Sequence, residues 1–146
     1  MVNQTNHLLK NLILSCRPKQ WTKNLLVFLA LFFSLNEAWE ISNPDELILL
    51  LSNTIISFLI FCFLSSSVYL INDSIDKNKD ILHPQKFKRP IASGHIPIKT
   101  AIITSIILCI PSIISAFFLN KNFAIISMTY FSIMIFYSII LKKFII

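Results

Sequence analysis

The sequence predicts an all-α integral membrane protein, a partial bundle of about four transmembrane helices in a single membrane domain covering residues 1–146. Three observations carry that expectation. Hydrophobic residues make up 55% of the chain against 14% charged, more apolar surface than a soluble domain of 146 residues can bury. Four apolar stretches alternate with polar segments along the chain. A single glycine argues against a transmembrane β-barrel, which needs alternating strands and turn glycines.

The first span is expected over residues 21–39. Its unbroken apolar run, 25–35, is only 11 residues long, but Trp21 and Trp39 lie 18 residues apart. That separation is about 27 Å of helix, close to a bilayer core with an aromatic residue at each interface. A re-entrant or surface helix is the alternative. The second span, 47–71, follows a helix-start signal: Asn43 as cap, Pro44 at the first position and Glu46 completing a capping box. Residues 98–119 form the third span, with Pro111 as an expected kink, and 123–141 the fourth. Only Asn120, Lys121 and Asn122 separate the last two, so a tight hairpin is expected. The polar first dozen residues, with His7, read as a mobile tail and lack the apolar core of a cleavable signal peptide.

Basic residues set the expected topology. Lys10, Arg17, Lys19 and Lys23 precede the first span, and Lys77, Lys79, Lys86, Lys88, Arg89 and Lys99 lie between the second and third. Lys142 and Lys143 follow the fourth. That places 12 of the 13 basic residues on one side, with only Lys121 opposite. The positive-inside rule then puts both termini and the 72–97 loop in the cytoplasm, with the chain in the cytoplasmic (inner) membrane. The net charge of +6 follows from that topology and requires no nucleic acid partner.

The segment 72–94, NDSIDKNKDILHPQKFKRPIASG, carries the chemistry. On a helix, Asn72, Asp73, Asp76 and Asp80 fall within an arc of about 100°. Three carboxylates so placed repel one another unless positive charge sits among them. Mg²⁺ holding a phosphorylated substrate meets that need, because it takes one or two carboxylates together with phosphate oxygens. A solvated acidic turn neutralised by Lys77, Lys79, Lys86 and Lys88 is the plainer alternative. The entering helix also presents Ser65 and Tyr69 on the stripe of Asn72, Asp76 and Asp80. Those two either line a polar cavity or pack against a neighbouring helix. Cys16, Cys62 and Cys109 show no pairing or metal-ligand spacing, and His83, followed by Pro84, is weak ground for a zinc site.

NDxxDxxxD followed by HPxKxxRPIASG, approached through SSSVYLIND, resembles the first aspartate-rich motif and adjoining loop of the UbiA superfamily of intramembrane prenyltransferases. The opening RPKQWTKN, residues 17–24, is similar to that family's polyprenyl-phosphate phosphoribosyltransferase branch. The resemblance implies a helical bundle with a cytoplasmic cavity in which Asp73, Asp76 and Asp80 bind Mg²⁺, and through it a diphosphate leaving group. Asp73 and Asp76 would be the catalytic pair. Asn72, Tyr69, Lys19, Lys23, Lys86 and Arg89 would contact substrate. In the phosphoribosyl branch, phosphoribose passes from phosphoribosyl diphosphate to a polyprenyl phosphate. Other branches pass the prenyl group of a polyprenyl diphosphate to an aromatic or other acceptor. Such enzymes are longer and carry a second aspartate-rich motif, whereas no acidic residue follows Asp80. The expectation is therefore an N-terminal portion from a truncated gene, a split gene with a separate C-terminal half, or a partial sequence, inactive alone, with an inactive membrane remnant as the alternative.

Overall fold

The computed structural model describes residues 2–34 and 44–142, and every regular element within them is helical. Helix α1 (Val2–Ser15) leads into a 3₁₀ helix (Pro18–Leu26) that continues as α2 (Val27–Phe33). Helix α3 (Pro44–Ile75) is followed by α4 (Lys77–Leu82) and a 3₁₀ turn (Lys86–Lys88). Helices α5 (Ile98–Leu119) and α6 (Lys121–Phe136) form a hairpin that ends in a π-helical turn (Tyr137–Leu141). Among the described residues, three helical stretches are long and apolar enough to cross a membrane: Pro44–Ile75, Ile98–Leu119 and Lys121–Leu141.

Small side chains hold these three together. In lipid the apolar effect between helices is absent, so close approach and packing carry association. Ala101, Ala116, Ala124 and Ser127 are fully buried, and Ser67 Oγ donates to the Ser105 carbonyl across the α3–α5 seam at 2.9 Å. Ile60 and Leu64 fill the centre of the bundle against Ile113, Phe123 and Phe131. Large apolar side chains such as Ile107, Phe117 and Phe118 stay exposed, as a lipid-facing surface requires. Asn120 separates α5 from α6, and its side-chain oxygen caps α6 by accepting from the Asn122 amide at 2.8 Å.

The expected first span is corrected in two respects. Residues Pro18–Leu26 wind as 3₁₀ rather than α-helix, and α2 stops at Phe33; Trp39 and Asn43 lie outside the described residues. Summed at 3₁₀ and then α pitch, 18–33 amounts to about 28 Å of helix, but this stretch is not among the described helices long and apolar enough to cross a membrane. The threefold repeat of the 3₁₀ helix turns Trp21 and Asn24 toward α3. Trp21 Nε1 donates to Ser66 Oγ at 3.0 Å, and Asn24 Nδ2 to Ser65 Oγ at 3.4 Å. Trp21 therefore ties this segment to α3.

The first residues also differ from a mobile tail. They form α1, whose Leu8 and Leu12 pack with Cys16 on a second core of Leu70, Ile91, Ile96 and Ala101. Residues from the motif loop thus plug the same end of the bundle that α1 covers. Helix α3 reaches that end at Ile75, while Lys121 sits about 33 Å away at the far end of α5.

Candidate functional site

The acidic stripe survives a break in the backbone. Helix α3 ends at Ile75 and α4 begins at Lys77, yet Asp76 N donates to Asn72 O and Asp80 N to Asp76 O, both at 2.9 Å. These bonds keep the helical register, so Asp73, Asp76 and Asp80 remain on related faces, and all three are buried. Buried carboxylates must be paired, and each of these is.

Arg89 comes from the folded loop. Its carbonyl accepts from Ser93 N at 2.8 Å, and Ile96 N closes back on Pro90 O at 3.0 Å, while Ile91 and Ile96 are fully buried beneath. The only glycine of the chain, Gly94, supplies the left-handed φ of 81° that this turn needs. Arg89 Nη1 then donates to Asp73 Oδ1 at 3.1 Å and to Asp80 Oδ2 at 2.7 Å. One nitrogen bridges two carboxylates.

Arg17 enters from the elbow between α1 and the 3₁₀ helix. Its backbone is left-handed, φ 52° and ψ 59°, a conformation that costs about 1–2 kcal/mol for a residue with a Cβ. The strain aims the side chain inward, where Nη2 donates to Asp73 Oδ1 at 2.6 Å and the guanidinium lies 4.6 Å from the centre of the Tyr69 ring. Lys142, just past the π-turn, donates to Asp76 Oδ2 and to Asn72 Oδ1. Between α3 and the end of α6, a cavity of about 200 Å³ is lined by Tyr69, Asn72, Tyr137, Ser138 and Lys142.

Of the residues singled out in the sequence, the structure gathers Tyr69, Asn72, Asp73, Asp76, Asp80 and Arg89. Lys86 is half-buried on the 3₁₀ turn and makes no ion pair among the described residues. Lys19 and Lys23 are exposed and likewise unpaired. The cations missed in the sequence are Arg17 and Lys142. Arg17 stands in the RPKQWTKN motif but is turned inward by a backbone break, and Lys142 reads in the sequence as an ordinary anchor flanking an apolar span. His83 is exposed, its Nδ1 accepting from the Gln85 amide at 3.2 Å, which makes it a turn residue. Burial pushes the Cys16 thiol above its ordinary range.

No group of three or more His, Cys, Asp or Glu side chains is close enough to hold a metal ion among the described residues. Asp73 and Asp80 nevertheless converge on the spot filled by Arg89 Nη1. Two hard oxygen donors converging on one point are the kind of ligand a divalent cation takes.

A family model described as the UbiA prenyltransferase family matches residues 24–146. The chain belongs to the UbiA prenyltransferase family. Among its relatives, the decaprenyl-phosphate phosphoribosyltransferase of Mycolicibacterium smegmatis is 35% identical over 136 residues, covering 93% of this chain and 42% of the relative. The enzyme of the same name from Mycobacterium tuberculosis is 32% identical over 136 residues, 93% of this chain and 44% of its own length. That of Corynebacterium glutamicum is 40% identical over 95 residues, 65% of this chain and 27% of the relative. The chain thus spans less than half the length of the relatives it matches. Membership of the UbiA family accords with the all-helical bundle and its three long apolar helices, and identifies the chain as an integral membrane protein.

Proposed function

We propose that this chain forms the diphosphate-binding part of a UbiA-type transferase that moves phosphoribose from phosphoribosyl diphosphate to a polyprenyl phosphate. The observation that carries the proposal is the gathering of Arg17, Arg89 and Lys142 on three buried aspartates in a chain similar to phosphoribosyltransferases over 93% of its length. A phosphoribosyl donor brings a 5-phosphate as well as a diphosphate, so its site needs several cations. Arginine forks match phosphate oxygens well. Arg17 and Arg89 would hold the diphosphate, with Tyr69 fixing the Arg17 plane from below. Lys142 and Asn72, at the mouth of the cavity, would hold the acceptor or the 5-phosphate. An oxygen of the lipid phosphate forms its bond to the anomeric carbon as the bond to diphosphate breaks, the electron pair leaving with the diphosphate. Mg²⁺ bound by Asp73 and Asp80 would supply charge to stabilise that leaving group. The basic asymmetry of the chain supports a site on the cytoplasmic face of the inner membrane.

Relatives more than twice as long imply a wider cavity wall than the described helices provide. Further helices, in continuation or as a separate C-terminal half, would complete the enzyme. The test is transfer of radiolabelled phosphoribose to polyprenyl phosphate in membranes containing this chain together with a C-terminal half from a relative. Transfer by the pair and none by the chain alone is expected. Prenylation of an aromatic acceptor by the pair, without phosphoribose transfer, would move the proposal to the family's prenyl-transferring branch.

A further inference from the structure

The opening motif and the serine triplet that precedes the acidic stripe meet inside the bundle. Ser65, Ser66 and Ser67 are consecutive on α3, about 100° apart, so their hydroxyls serve three different neighbours. Ser65 Oγ accepts from Asn24 Nδ2 at 3.4 Å, and Ser67 Oγ donates to the Ser105 carbonyl at 2.9 Å. Ser66, fully buried between them, spans a turn of the chain. Its oxygen accepts from Trp21 Nε1 at 3.0 Å and donates to the Cys16 carbonyl at 3.0 Å. One hydroxyl thus closes residues 16–21 into a bracket, and the strained residue Arg17 lies inside it.

Other buried serines of this chain bond back to their own helix. Ser74 donates to Leu70 O and Ser112 to Leu108 O, each at 2.7 Å. Ser66 has the same option in Cys62 O at 2.7 Å, but that carbonyl also accepts from Ser65 Oγ at 3.0 Å. A hydroxyl carries one hydrogen, and that of Ser66 is therefore available to Cys16 O, the group that leads into the left-handed turn. A residue with a Cβ stays left-handed only where its surroundings hold it there. The same face of α3 holds the rest of Arg17. Tyr69 and Asp73 follow Ser66 at i+3 and i+7; the Tyr69 ring supports the guanidinium at 4.6 Å, and Asp73 accepts from Nη2 at 2.6 Å. Arg17 is thus laid along one helix face from its backbone to its tip.

We propose that Ser66 is a positioning residue for phosphoribosyl transfer: by joining Cys16 to Trp21 it fixes the left-handed turn at Arg17, and so sets where that guanidinium meets phosphate oxygens. The inference rests on the function proposed above and adds a residue about 10 Å along α3 from Asp73, fully buried and out of reach of substrate. Trp21 supplies the other arm of the bracket. Its edge-to-face contact with Phe63, centroids 6.4 Å apart, keeps the indole in place.

The test uses the whole chain in lipid nanodiscs and combines Ser66→Ala with Arg17→Gln in a double-mutant cycle. Calorimetry reads Mg²⁺-dependent binding of phosphoribosyl diphosphate, and thermal unfolding reads the Arg17 ion pair. Ser66→Ala should weaken binding about tenfold, as Arg17→Gln does, because a displaced guanidinium no longer meets the phosphate oxygens. The double variant should bind no more than about twofold more weakly than Arg17→Gln alone. Arg17→Gln should also lower the unfolding temperature less in the Ser66→Ala background than in the unmodified chain. Ser112→Ala, which removes a buried hydroxyl bonded within its own helix, should leave binding unchanged. If Ser66→Ala does not fold, Trp21→Phe keeps an aromatic ring against Phe63 and removes the indole N–H, and the same non-additivity with Arg17→Gln is expected. Binding losses that multiply in the double variant would overturn the positioning role and leave the proposed function standing. Absence of binding by the unmodified chain would overturn the proposed function; thermal effects that simply add would then overturn the placement of Arg17 by Ser66 as well.

Discussion

Residues 17–24 and residues 72–94 bring charge to the same end of the bundle, and they do so by different backbone geometry. The second segment begins inside a 32-residue helix whose register continues through Asp76, so each side chain's direction follows from its number. The first begins with a left-handed residue and proceeds as a 3₁₀ helix, so direction is reset at Arg17 and then repeats every three residues. The consequence is an exchange of roles. Lys19 and Lys23, the two lysines of the opening motif, lie on exposed faces, while Arg17 at its first position reaches Asp73. A regular helix transmits position, whereas a break chooses one residue and discards its neighbours.

That contrast can be broken by substitution. The largest effect is expected at Asp73, where the two segments meet. Asp73→Asn leaves Arg17 with a neutral partner and Arg89 with Asp80 alone, and because both guanidiniums are partly exposed it should cost about 1–3 kcal/mol of stability, measured by unfolding in mixed detergent micelles. A smaller and more pointed effect concerns the left-handed residue. Arg17→Gly and Arg17→Ala remove the same ion pair, but glycine relieves the strained backbone. The glycine variant should therefore be about 1 kcal/mol more stable than the alanine variant. Equal stabilities would mean that the backbone at Arg17 is not left-handed. The smallest effects belong to Lys19→Ala and Lys23→Ala, each expected within about 0.5 kcal/mol of the unmodified chain.

The legible part of the molecule was the part governed by repeating geometry. Composition and span length were enough for the α3, α5 and α6 bundle, and the i+3 and i+4 spacing of Tyr69, Asn72, Asp76 and Asp80 placed them on one stripe. Arg89 was legible because it lies in the loop that the helix delivers. The rest depends on tertiary contacts that no local pattern encodes. Helix α1 forms because Leu8 and Leu12 find Leu70, Ile91 and Ile96, residues far away in sequence. Lys142 finds Asp76 across 66 positions through the π-turn that ends α6. Arg17 could be suspected from its motif but not chosen over Lys19 and Lys23, since a single left-handed φ made the choice.

The choice among those three cations is also where the functional account is most exposed. Mg²⁺-dependent binding of phosphoribosyl diphosphate should be measured by calorimetry for the unmodified chain, Arg17→Gln and the double variant Lys19→Ala with Lys23→Ala. Loss of affinity by about tenfold or more in Arg17→Gln, with the double lysine variant unchanged, is the expected result. Unchanged binding in Arg17→Gln together with its loss in the double lysine variant would contradict the account and return the phosphate contacts to Lys19 and Lys23.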